Sequence, residues 1–327
     1  MGNSDMETHA ESPAPEAAPK LNHPRMVAVW PGMGQVAINA GIYLLSKLQM
    51  SQIAEFDPEI LFDAEAVEVH EGLIRMARRP RSRIFLWSDP ERNRDLLVFL
   101  GEAQPQTGKY AFCRELVRCA RRLGVERIFT FAAMATGMRP ERPSGVFAAA
   151  TDLERLRELR QLELTIMSDG QIGGLNGVLL GAAEEAGVSG VCLLGEMPHV
   201  FHQFPYPKAS LAILEVFVAM SGIELDLAEL SMQAEETGRK MGELLDRVEN
   251  RLRGAEGPEE VEDFIPDPPA DDRDPEVVRT IESLFERAAT DRSKAFELKR
   301  ELDRNTLFKE YEDRFLDLFR KAEEGVL

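Results

Sequence analysis

Hydrophobic positions along this chain fall into short unbroken runs separated by amphipathic stretches, the pattern of a buried sheet with helices between its strands. Met26 to Trp30 reads as a first short strand, with a loop at Pro31 to Gln35. Ile38, Ile42, Leu45 and Leu48 then mark a helix over 36–48. Residues 66–69 and 83–88 are expected to be strands paired with each other, turning near Arg79 and Pro80. Leu96 to Leu100 is wholly apolar and predicts a buried strand. An amphipathic helix is expected over 110–123, stopped by Gly124, with a strand over 127–131. Val146 to Ala149 and Leu164 to Met167 continue the series around a charged helix at 152–160, which Asp152 can cap.

A glycine-rich turn from Gly170 to Gly177 links the 164–167 strand to a helix, and a second apolar strand ends at Leu193 to Pro198. Strand, turn, helix and strand predict a βαβ unit, hence a parallel sheet covered on both faces. Gly173, Gly174 and Gly177 are expected to let that helix start close against its strand. The spacing is not that of a dinucleotide loop, and no Lys, Ser or Thr follows Gly177 as a Walker loop requires. Residues 209–220 form an apolar helix ended at Gly222. About eight strands with interleaved helices predict an α/β fold, a three-layer αβα sandwich over residues 25–226. The early strands follow one another without helices between them, which disfavours a TIM barrel.

Past Asp226 the pattern changes. Leu227, Leu230, Ala234, Met241, Leu244, Val248 and Leu252 recur at threes and fours, predicting one long helix over 227–253. Residues 254–275 hold nine acids, one Arg and five Pro, and are expected to be an extended linker. A C-terminal helical extension over 276–327 follows, with Pro275 at a first helical position and a stripe of Ile281, Leu284, Phe285 and Ala288. Its last helix carries Phe308, Tyr311, Phe315 and Phe319, an interaction arm that must bury against its own core, a neighbouring subunit or a partner. Residues 1–24 are polar, rich in Pro and Ala, and expected to be disordered.

Composition narrows the classes. With 44% apolar residues in 327, a core can form without disulfides. Cys113 and Cys119 lie six apart in a helix, so they point about 240° apart and cannot share a metal. Cys192 sits in an apolar strand, and all three read as small core residues. A net charge of −18 argues against nucleic acid. No apolar run approaches the roughly 20 residues of a membrane span, and no signal-peptide core opens the chain. The expected location is cytoplasmic.

Candidate chemistry is sparse. Glu102 and Glu196 follow apolar strands, and Asp169 follows another, at the rim where open α/β sheets bind ligands. With Gly173 and Gly174 they form a possible pocket, in which carboxylates act as acid and base or hold a sugar hydroxyl. The competing reading has the two glutamates capping helix N-termini or accepting backbone N–H bonds. His199 and His202 form an H-x-x-H pair without an evident third ligand. No nucleophile, base and orienter assemble, and no metal or cofactor is expected.

The 162–226 block, with Pro31-Gly32-Met33-Gly34, the Asp95 to Pro105 segment and Leu123-Gly124-Val125, resembles the proteasome assembly chaperone 2 family over Met26 to Leu252. The resemblance is to homologues of the bacterial or archaeal type. It implies a phosphorylase/hydrolase-like sandwich, a homo-oligomer, and an assembly-chaperone role on a proteasome-like complex. The expected function is therefore a non-catalytic scaffold. The alternative is a small-molecule protein, of nucleoside or carboxylate type, using the rim carboxylates. The chain ends Gly325-Val326-Leu327, without the penultimate Tyr of tails that enter proteasome pockets.

Overall fold

Strand β1 (Arg25–Val29) of the computed structural model lies between two parallel neighbours, and every one of its residues is buried. The structure describes residues 20–63, 66–91, 93–252 and 275–320. After β1 come α1 (Val36–Lys47), β2 (Ser51–Phe56), the single turn α2 (Pro58–Leu61), β3 (Val67–His70), β4 (Leu73–Met76) and β5 (Ser82–Trp87). Next are β6 (Leu96–Gly101), α3 (Lys109–Arg122), β7 (Arg127–Thr136), β8 (Val146–Ala150), α4 (Leu153–Leu159) and β9 (Thr165–Ile166). The chain continues through α5 (Gly174–Glu185), β10 (Ser189–Pro198), α6 (Pro207–Ser221) and α7 (Ala228–Leu252). It ends with α8 (Pro275–Thr290), α9 (Ala295–Arg304) and α10 (Phe308–Asp317).

Eight strands form one sheet in the order β2-β5-β6-β1-β7-β10-β8-β9. The apolar runs are central because both of their faces are covered. Leu97 and Phe99 of β6 join the cluster under α3 and α5, while Leu96, Val98 and Leu100 join the one under α1, α6 and α8–α10. Helix, sheet and helix make the three-layer α/β sandwich with its C-terminal helices.

The sheet is mixed, not parallel. β2, β6, β1, β7 and β10 run one way, and β5, β8 and β9 run the other. The expected βαβ unit around the glycine turn is therefore corrected. Thr165–Ile166 is a two-residue edge strand on β8, opposite in direction to β10, and Thr165 is exposed. None of Leu164, Thr165, Ile166 and Met167 is fully buried, because an edge strand has a neighbour on one side only. The expected pairing of 66–69 with 83–88 is also corrected: β3 pairs with β4 through a turn at Glu71 and Gly72, and β5 pairs with β2 and β6.

Two glycines of the turn earn their place. Gly174 has φ +70, and a Cβ there would sit 2.9 Å from Gln104 Oε1. At Gly177 a Cβ would meet the Ile172 carbonyl oxygen at 2.0 Å. Gly173 has open space around it, so the expected need for glycine does not extend to it.

Helix α6 stops at Gly222, whose φ of +73 few other residues adopt. α7 returns antiparallel along it with Leu230 and Ala234 buried. α7 has 25 residues and α6 has 15, so α7 overhangs by about 15 Å at 1.5 Å per residue. Leu244 and Val248 on the overhang are half-exposed. The expected disorder at 1–24 and the linker at 254–275 lie outside the described residues, apart from 20–24 and Pro275.

The C-terminal helices seat on the chain's own sheet. Phe315 and Phe319 are 0% exposed, and the Phe319 ring stands edge-on to Phe85 at 6.1 Å. Phe296 meets Tyr43 of α1 edge-on at 4.6 Å. Phe308 and Tyr311 are half-buried against the same cluster. The Gln52 N–H donates to the Phe319 carbonyl at 2.7 Å, so the arm also covers part of the β2 edge.

Candidate functional site

Glu102 and Glu196 lie on opposite faces of the sheet. Glu102 is two residues past Leu100, on the α1 side, whereas Glu196 is two past Leu194, on the α5 side. Three strand steps separate β6 from β10, about 14 Å at 4.8 Å per step. Asp169 is exposed on the loop beyond β9. The expected convergence of these three carboxylates does not occur.

Each glutamate has structural partners instead. Glu102, 2% exposed, accepts the Arg81 N–H at 2.9 Å and pairs with Arg78 at 2.9 Å. Fully buried Arg83 faces it at 3.3 Å, near enough for Coulomb attraction but without hydrogen-bond alignment. Glu196 accepts the Thr136 hydroxyl at 2.7 Å and the Gly145 N–H at 3.3 Å. His199 Nδ1 lies 3.0 Å from the Thr136 carbonyl and His202 Nδ1 lies 2.9 Å from the His199 carbonyl. Among the described residues no three His, Cys, Asp or Glu side chains group to hold a metal. Burial pushes the Cys113 thiol up to about 12 and Cys192 up to about 11, so neither is a ready nucleophile.

The arm completes the cluster around Glu102. Asp313 of α10 bonds Arg83 Nη2 at 2.8 Å and pairs with Arg78 at 3.0 Å and Arg81 at 3.2 Å. Glu55 takes a bidentate grip on Arg81, both bonds 2.6 Å. Burial alone would raise the Asp313 carboxyl, but Arg78, Arg83 and Arg81 outweigh it and hold the group below the usual carboxylate range. Glu312 beside it moves the other way, pushed up by burial against the pull of Lys309.

A depressed carboxyl stabilises the fold above its unfolded value, about 3.9, and that contribution is lost as pH falls through the folded value. The arm is therefore expected to loosen below about pH 4, and Asp313→Asn should remove that share of the acid sensitivity. Glu312 has the opposite slope in both proteins and cancels in the comparison. Urea midpoints of the two proteins across this range provide the check. Parallel acid profiles would sink the expectation.

A separate cleft of about 430 Å³ opens at the carboxyl end of β1, β7 and β10, beside the start of α5. Trp30, Met33, Ile172 and Leu194 give it apolar walls, and Gln104, Gln171 and Asn176 give it amides. Gln104 fixes its geometry by accepting the Leu175 N–H at 3.1 Å and donating to the Pro31 carbonyl at 3.2 Å. Of the expected pocket residues only Gly173 lines this cleft, and Gly174 adjoins it. Sequence reasoning looked for charge at the rim, while the cleft is walled by neutral groups. Trp30, one residue past β1, was legible by its place at a strand's carboxyl end.

The β3–β4 hairpin has an apolar face. Val67 opposes Met76 and Val69 opposes Ile74, which places all four on one side. They are 51%, 61%, 68% and 72% exposed respectively. Glu68 opposes Arg75 on the other side.

The closest chemistry this geometry offers is binding, and the comparisons with known proteins agree on the fold. A PAC2 family protein of Streptomyces avermitilis superposes with a TM-score of 0.60 at 27% identity, covering 68% of this chain and 96% of that one. A Mycobacterium tuberculosis proteasome-assembly chaperone homologue gives 0.58 at 27%, covering 67% and 94%. A Pyrococcus furiosus archaeal proteasome activator, at 24% identity, TM-score 0.58 and coverage of 71% and 95%, shows the same fold. An uncharacterised Methanocaldococcus jannaschii protein is 26% identical over 223 residues, 65% of this chain and 80% of its own length. No helix among the described residues is long and apolar enough to cross a membrane. The PAC2 family model matches residues 26–245, the sheet and its helices as far as the middle of α7, and the chain belongs to the PAC2 family.

Proposed function

We propose that this protein is a non-catalytic, chaperone-like scaffold that assembles with copies of itself and engages a larger complex of the proteasome type. The exposed apolar face of the β3–β4 hairpin carries the reading. A two-stranded hairpin is marginal in water by itself, and four apolar side chains on one free face mark a surface built to be covered. A second copy of the chain is the occupant proposed here. The likeness to a proteasome-assembly chaperone homologue supports the class of partner. The structural partners of Glu102 and Glu196 support a scaffold over an enzyme that works with rim carboxylates.

Light scattering of the full chain at micromolar concentration should give a mass above the 36.6 kDa of one copy. Val69→Asp with Ile74→Asp should shift it toward the monomer with little change in melting, since exposed substitutions typically move stability by about 0.5 kcal/mol or less. A clean monomer for the unaltered protein would overturn the assembly. Failure to co-sediment with proteasome particles of the same organism would overturn the partner.

A further inference from the structure

A second exposed apolar surface lies on the loops that follow β1 and β10. Met33, Val200 and Phe204 on these loops are 46%, 48% and 53% exposed. Backbone bonds tie the two loops together. The Gly34 N–H donates to the His202 carbonyl at 2.8 Å, and the Tyr206 N–H donates to the Gly34 carbonyl at 2.9 Å. Gly34 has φ +59, and a Cβ there would sit 2.8 Å from the Met197 side chain, so the first loop is pressed against the end of β10. The buried Phe201 ring stands edge-on to Phe204 at 6.3 Å. A surface held in this way needs little further ordering when something binds it.

The hairpin leaves the same end of the sheet. It is inserted between β2 and β5, where Phe56 pairs with Ser82, and Ser82 also pairs with Gly101 at the end of β6. β6, β1, β7 and β10 are parallel, so β1 and β10 end there too. They lie two and four strands from β5, about 10 and 19 Å at 4.8 Å per strand. One end of the molecule thus carries two apolar surfaces, one on a separate two-stranded hairpin and one on fixed loops.

Area decides how two copies would use them. The four side chains of the hairpin face, 51–72% exposed, offer apolar surface on the order of 200–300 Å². A stable interface takes about 800 Å² from each partner. Hairpin against hairpin falls far short of that and leaves Met33, Val200 and Phe204 in water on both copies. Hairpin against loops roughly doubles the apolar surface each copy buries, since each gives its hairpin to one contact and its loops to another.

We infer that the Val67, Val69, Ile74 and Met76 face of one copy seats on the Met33, Val200 and Phe204 loops of a second copy, so that the two sides of the contact are different surfaces. The inference rests on the reading of the hairpin as a surface covered by another copy, and adds the surface that receives it.

Mixing two altered proteins tests this. The full chain with Val200→Asp and Phe204→Asp keeps its hairpin and loses its seat. The full chain with Val69→Asp and Ile74→Asp keeps its seat and loses its hairpin face. By light scattering, each alone should need at least about tenfold more protein to assemble than the parent does. Mixed in equal amounts they should form a species near twice the 36.6 kDa of one copy, because the hairpin of the first still fits the loops of the second. Melting is recorded for each, and Met33→Asp replaces the Val200 and Phe204 changes if that protein does not fold. A folded seat variant that assembles as readily as the parent would overturn the contact. So would a mixture that associates no better than either variant alone while the parent assembles. A monomeric parent would instead overturn the assembly as a whole, which separates the failure of this contact from that of the reading beneath it.

Discussion

Phe315→Asp is expected to lift α8–α10 from the sheet while β1, β6, β7 and β10 stay folded. Phe315 is 0% exposed and packs on Phe308 at 5.5 Å and Phe319 at 5.8 Å. Losing a buried Phe costs about 3–5 kcal/mol, and a carboxylate left in that apolar cluster adds a desolvation penalty. Beside it, Phe319 packs on Phe85 and Phe296 on Tyr43, and the remaining contacts are polar and local. Ser46 Oγ bonds the Arg292 carbonyl at 2.9 Å, Asp313 holds the arginines, and the Gln52 N–H bonds Phe319. The central strands have their own cover in α1, α3, α5 and α6, and the family match ends before α8. Amide exchange should therefore show lost protection in α8–α10 with slow exchange kept in the central strands. Uniform loss across the whole chain would mean that the arm belongs to a single cooperative unit with the sheet. The domain boundary proposed between 226 and 276 would then fall.

Much of this architecture was legible because its signals are periodic or local. Pro275 opens α8 where its fixed φ suits a first helical turn, and Gly222 closes α6 in the left-handed region. The Phe308, Tyr311, Phe315 and Phe319 spacing predicted one buried stripe; Phe315 and Phe319 are buried, and Phe308 and Tyr311 are half-buried beside them. What was missed depends on partners distant in sequence. The direction of β9 is set by β8, nearly twenty residues earlier, and no local pattern encodes it. The β3–β4 turn uses Glu71 at φ +48 and Gly72 at φ +79. Asn-Gly is the strong signal for such a turn, and Glu in the first place hid it. Asp169 lies on the loop beyond β9, Glu102 lies one residue past β6, and Glu196, expected to follow its strand, lies inside β10. The separation of the two glutamates onto two faces follows from the alternation of side chains, which a residue count from Leu100 and Leu194 could have exposed.

Glu102 offers the sharpest separation of structural from chemical roles. Glu102→Ala is expected to destabilise the fold by about 3–5 kcal/mol, because it leaves Arg83 fully buried with one close carboxylate fewer. Arg83 retains Asp313 at 2.8 Å and Glu55 at 3.6 Å, so the lower half of that range is the expectation. Glu102→Gln keeps the shape and an acceptor for the Arg81 N–H but removes the charge, and should cost about 1–3 kcal/mol. Arg83→Met combined with Glu102→Gln should then cost less than the sum of the two, with a coupling of roughly 0.5–3 kcal/mol. Replacing both members of a buried pair removes the desolvation penalty along with the attraction. Urea unfolding of the four proteins closes the cycle. Additivity to within about 0.3 kcal/mol would show that the 3.3 Å approach carries no energy. A Glu102→Gln protein as stable as the parent would return Glu102 to the groups free for chemistry at the rim.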